Sequence, residues 1–193
     1  MSQSACQPLQ YEFGKTYTHP EYGFEFICCP QSMSNNPGIC LELCVLYLTL
    51  KLKKQSNEKI ISNLQTAIMD STTSAPENTV TETYLLERLH MDGDEEVIFL
   101  LSDIIMAHKE NTFTHALIEF FQNTDEAHCI AIYKNEKNVN EYYTEIYEPN
   151  LGIIINGKGH EEKILKFFQE KYIRQSEEPE PIYVYNVDQV LCV

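Results

Sequence analysis

The hydrophobic positions change period about halfway along the chain. Residues 1–38 show no sustained period and read as an irregular arm, with turns at Gly14, Pro20, Gly23 and Pro30. Asn35-Asn36-Pro37-Gly38 then precedes ICLELCVLYLTLKLKK, and an Asn-Pro step of this kind opens a helix. Ile39, Leu43, Leu46 and Leu50 form one apolar stripe, and Leu41, Val45, Leu48 and Leu52 a second on another face. A helix apolar on most of its circumference is a buried one. Residues 57–70, about 79–91 and 95–109 also carry helical spacing, with a loop at 70–79. After residue 112 the period falls to two. Strands are predicted at 113–121, 128–134, 141–148 and 152–156, with turns at 123–125, 135–140 and 149–152. Glu161 to Ile173 reads as an amphipathic helix with Ile164, Phe168 and Tyr172 on one side; 176–180 opens a loop and 182–187 is a last strand. The expected architecture is α+β, one domain of two lobes. Residues 1–112 would form a helical lobe around the helix bearing Cys40, and residues 113–193 a lobe built on an antiparallel meander.

At 193 residues and 22.4 kDa the chain can bury about two-thirds of its unfolded surface, so it needs no disulfide or metal staple. Fourteen Lys and Arg against 29 Asp and Glu leave a net charge of −15. Such a surface repels phosphate backbones, which argues against nucleic acid and favours a basic partner or substrate. Seven cysteines at irregular spacing are not a disulfide framework and fit a reducing compartment. The first ten residues have neither the basic flank nor the apolar core of a signal peptide. The longest apolar runs carry Glu42 or Asp103 and are too short to span a bilayer.

Cys40 falls in the first turn of the buried helix. Free N–H groups there favour a thiolate over a thiol and can hold a developing oxyanion. A thiol nucleophile also needs an imidazole to take its proton and a group to orient that imidazole. His128 opens a buried strand and Glu148 ends the next. Pairing through the 135–140 turn places the start of one beside the end of the other, within about two residues. A single buried cysteine or histidine is ordinarily a core residue. Here the order and the shared hairpin set the three apart. Cys28-Cys29 lack metal-ligand spacing, and Cys129 should point to the opposite strand face from His128. His108 and His115 read as structural, His19, His90 and His160 fall in loops or at helix ends, and no glycine-rich phosphate loop is present.

Three segments resemble one family. GICLELCVLYL is similar to the nucleophile motif Gly-x-Cys-x-Gly-Leu-Ser-x-x-Trp-Leu of the YopT/AvrPphB-type papain-like cysteine proteases. Gly38, Cys40, Leu43 and Leu48 match, while Glu42, Cys44 and Tyr47 replace Gly, Ser and Trp. AHCIAIYK resembles the family's His-Ala-Ile-Ala strand, with His128 on the histidine. YEPNLGIIIN resembles its Asp-Pro-Asn-x-Gly segment, with Glu148 in the aspartate's place and Pro149, Asn150 and Gly152 matching. The three blocks cover about a fifth of the chain, in the family's order. The resemblance implies a papain-like fold and a Cys40–His128–Glu148 triad that cleaves a peptide bond. The oxyanion side chain would be Asn35, with Asn36 or Gln31 as alternatives. It implies no cofactor and no metal. It also implies a bacterial effector, made in the cytoplasm and translocated into a host cell, acting on a host protein; the net charge adds the expectation of a basic segment in that substrate. The acidic stretch at 176–180 resembles some secretion signals, although a plain acidic loop has the same composition. Two other functions stay open: a papain-like deamidase, transglutaminase or acyltransferase using the same residues, and a non-catalytic module that binds a basic partner.

Overall fold

Eight strands, each antiparallel to its neighbours, form one sheet in the computed structural model. It describes residues 11–33, 39–70, 87–91, 115–123, 126–138, 141–155, 160–173 and 182–186. The strands are β1 (Thr16–Thr18), β2 (Glu25–Cys28), β3 (Glu87–Met91), β4 (His115–Asn123), β5 (Glu126–Asn138), β6 (Glu141–Glu148), β7 (Gly152–Ile155) and β8 (Ile182–Asn186), in the spatial order β1-β2-β7-β6-β5-β4-β8-β3. Among the described residues the α-helices are α1 (Cys40–Leu52), α2 (Asn57–Asp70) and α3 (Glu161–Phe168); α3 continues into a π turn at Gln169–Ile173. The protein is thus a mixed helix and antiparallel-sheet fold.

The sheet is covered on both faces, and the period of two sorts its residues. Phe26, Ile118, Ile130, Ile132, Ile146 and Ile154 join Ile164, Phe167 and Phe168 of α3 in one core cluster. The alternate residues Ile27, Leu117, Cys129, Ala131, Tyr147 and Ile153 join α1 and α2 in the other. Each buried aromatic ring of α3 contributes about 2–3 kcal/mol on area grounds. In α2, Ile60, Leu64 and Ile68 recur every four residues and are fully buried. Lys59 N–H donates to the Ser56 hydroxyl, which caps this helix.

The central meander β4–β7 follows the expected strands. Three expectations are corrected. The N-terminal arm is not wholly irregular: β1 and β2 add two strands beyond β7. Both are short: β1 has only three residues, and in β2 Phe26, Ile27 and Cys28 are buried on both faces and show no alternation. Glu87–Met91 is a strand rather than the end of a helix. Its residues favour helices, but pairing with β8 overrides that local preference. The turn after β5 is shorter than residues 135–140, since β5 runs to Asn138 and β6 begins at Glu141. The helix expected at 95–109, the loop at 176–180, and Asn35 and Asn36 lie outside the described residues. Among the described residues no helix is long and apolar enough to cross a membrane.

Candidate functional site

β6 stops at Glu148, and its pairing with β5 runs from Ala131–Tyr147 to Asn138–Glu141. The first residues of β5 therefore extend past the end of β6. Continuing the register, Ile130 lies opposite Glu148, so His128 is the diagonal neighbour on the same face. A glutamate spans that diagonal: His128 Nε2 and Glu148 Oε1 are 2.6 Å apart. The thiol of Cys40 reaches His128 from the other core cluster and shares a side-chain hydrogen bond with it. The thiol from the α1 face and the imidazole from the α3 face meet where β6 ends.

The site is enclosed. Cys40 is 7% exposed, His128 6% and Glu148 0%. Four groups surround the carboxylate. Its Oε1 accepts from His128, from the Asn150 backbone N–H at 3.1 Å and from the Tyr172 hydroxyl at 2.6 Å; its Oε2 faces Lys171 Nζ at 3.4 Å. Burial pushes the Glu148 pKa up, but the His128 hydrogen bond, the Lys171 charge and the Tyr172 hydroxyl outweigh it and hold it below the ordinary value. Burial likewise pulls His128 down, and its bonds to Cys40 and Glu148 more than compensate, so its pKa is raised. An ionised carboxylate can only accept, so Nε2 carries a proton and Nδ1 is the basic nitrogen of the neutral ring. Such a ring can exchange a proton with the thiol.

The N-terminus of α1 lies at this point. Ile39 is its N-cap and supplies no side-chain hydrogen bond, so the backbone N–H groups of the first turn point toward the site. The other described thiols are less available. Burial pushes Cys29 up to about 12, and burial with the adjacent Cys129 keeps Cys44 protonated. Cys129 points into the α1 cluster, on the face opposite His128. Among the described residues no group of three His, Cys, Asp or Glu side chains could hold a metal ion.

The Glu148 turn is fastened from outside. Cys29 N–H donates to the Leu151 carbonyl, Gln31 N–H donates to the Pro149 carbonyl, and Gln31 Nε2 donates to Asn150 Oδ1 at 2.8 Å. Gln31, an alternative for the oxyanion position, thus has its amide nitrogen engaged with the turn. Sequence reasoning gave no role to Tyr172, Lys171 or Asn150. For Tyr172 a signal existed: a tyrosine on the inner face of a helix needs a buried partner for its hydroxyl. For Lys171 there was none.

No family model matches the chain, and no curated protein is similar to it in sequence. Among solved structures, the Pseudomonas avirulence protein AvrPphB matches over 80% of this chain and 94% of its own, with a TM-score of 0.51 and 14% identity. At that identity the likeness is one of fold.

Proposed function

We propose that the protein is a cysteine protease of the papain-like, YopT/AvrPphB type, cleaving a peptide bond in a host protein. The observation that carries this reading is the hydrogen-bonded row Cys40–His128–Glu148 at the start of a buried helix. The fold likeness to AvrPphB and the three similar segments support it. In this reading His128 takes the thiol proton and Cys40 attacks the scissile carbonyl. The Cys40 backbone N–H and the side chain of Asn35 would hold the oxyanion. His128 then protonates the leaving amine, and water releases the acyl group from sulfur. Glu148 keeps the imidazole oriented and balances its charge. The two-lobed division at residue 112, the effector role and translocation into the host belong to the same proposal. The net charge of −15 favours a substrate segment with basic residues.

The test is incubation of the protein with host-cell extract, followed by labelling of newly exposed N-termini. Wild type should create termini that Cys40→Ser and His128→Ala do not. Iodoacetamide should modify Cys40 roughly a hundredfold faster in wild type than in His128→Ala at neutral pH. Equal, slow modification in both would reject the nucleophile. A target gaining 1 Da instead of a new terminus would replace proteolysis with deamidation.

A further inference from the structure

We infer that Tyr172 is a positioning residue for this site, locking the imidazole of His128 and the carboxylate of Glu148 with a single side chain. The inference rests on the protease reading and adds to it a further side chain, supplied by the π turn after α3. Two contacts carry it. The Tyr172 ring stacks on His128, with centroids 4.9 Å apart and planes 7° apart. Its hydroxyl donates to Glu148 Oε1 at 2.6 Å. The ring therefore fixes the tilt of the imidazole, and the hydroxyl fixes the oxygen that the imidazole addresses. An aromatic face on imidazole also favours the protonated ring, the form present once the thiol has given up its proton.

The hydroxyl is held in turn. It donates to a carboxylate, so it can only accept from the Asn150 side chain, with which it also shares a hydrogen bond. That sets the Asn150 amide with its nitrogen toward Tyr172 and its oxygen toward Gln31 Nε2, the orientation observed. The result is a directed chain from Gln31 through Asn150 and Tyr172 to Glu148. The geometry depends on the π turn, in which the widened winding brings both Lys171 and Tyr172 to Glu148. Other charged or titratable groups facing the His128–Glu148 pair are Cys40 from α1 and Lys171 from the same turn; burial keeps Cys44 and Tyr147 neutral.

The experiment measures the rate of Cys40 alkylation by iodoacetamide, mapped by mass spectrometry, from pH 5 to 8. It compares the full chain as wild type, Tyr172→Phe, Tyr172→Leu and His128→Ala. Tyr172→Phe keeps the stacked ring and removes one oxygen. It should slow alkylation at pH 6 roughly tenfold and move the acid limb of the profile to higher pH. Tyr172→Leu should slow it further. A phenylalanine variant whose profile overlays wild type, whatever its thermal midpoint, assigns Tyr172 a structural role only and overturns the inference. In that case His128→Ala still lies well below wild type, and the protease reading survives. If His128→Ala also overlays wild type, both fall. Should the leucine variant not fold, the phenylalanine variant decides alone.

Discussion

Replacing Glu148 with glutamine tests whether a buried charge organises the site. Glutamine keeps the size and one acceptor oxygen, so it removes the charge with little change in shape. Glu148 is fully buried and faces His128 Nε2 at 2.6 Å, with Lys171 Nζ at 3.4 Å on its other oxygen. Removing one member of a buried pair costs about 3–5 kcal/mol, and a hydrogen bond to a charged group contributes about 1.5–3 kcal/mol. The amide retains part of the hydrogen bonding, and Lys171, about a third exposed, regains water. A net loss of about 2–4 kcal/mol follows. The pH dependence is fixed in sign. The Glu148 pKa is depressed from 4.5, so its contribution is present above 4.5 and is lost as pH falls through the folded value. The His128 pKa is raised from 6.5, so its contribution is complete below 6.5 and fades as pH rises through the folded value. Both act fully between these ordinary values, and the variant should be most destabilised there. Urea unfolding at pH 5.5 and pH 9 measures the difference, and the histidine proton resonances follow His128, whose pKa should drop. A stability loss equal at both pH values, with an unmoved His128 titration, would refute the reasoning.

Substitutions at an ion pair and at a glycine probe the frame around the site. Lys51 and Glu145 form a buried ion pair between α1 and β6, with the Tyr47 hydroxyl donating to Glu145 Oε2 at 3.1 Å and Lys51 Nζ donating to Asn57 Oδ1 at 2.9 Å. Lys51→Met strands the carboxylate and should cost about 3–5 kcal/mol in urea unfolding, whereas Lys51→Met with Glu145→Leu should recover most of it. Gly152, which follows the turn after Glu148, has φ +134°, and a methyl there would overlap the Ile27 carbonyl oxygen. Gly152→Ala should cost about 3 kcal/mol or more and slow Cys40 alkylation by displacing the Glu148 turn; wild-type thermal stability would contradict this.

The meander was legible because short, largely apolar runs rich in β-branched and aromatic residues end at turn residues, and that was enough to bring His128 and Glu148 to neighbouring positions. The exact register was not: they are diagonal, two residues from directly opposite, because β5 runs on to Asn138 while β6 still begins at Glu141, which moves the turn toward β6. Helix α1 was legible from its two apolar stripes, and Cys40 from its place at the helix start. β1 escaped notice because three residues are too few to establish a period, and β2 because Phe26, Ile27 and Cys28 are buried on both faces. β3 escaped because pairing with a strand about ninety residues later decides its form, and nothing local records that. Tyr172 was readable as a core residue but not as a partner of Glu148, since that depends on one widened helical turn.

The row of hydrogen bonds draws on residues 31, 40, 128, 148, 150 and 172, so it has a consequence for biosynthesis. Ribosomes release Cys40 long before the imidazole, the acid and the tyrosine exist. During most of translation the sulfhydryl has no proton acceptor beside it, and the nascent polypeptide is chemically quiet. Under the proposed function, activity switches on only after residue 172 has emerged and docked, and a nick anywhere between Gln31 and Tyr172 leaves neither fragment with the whole assembly.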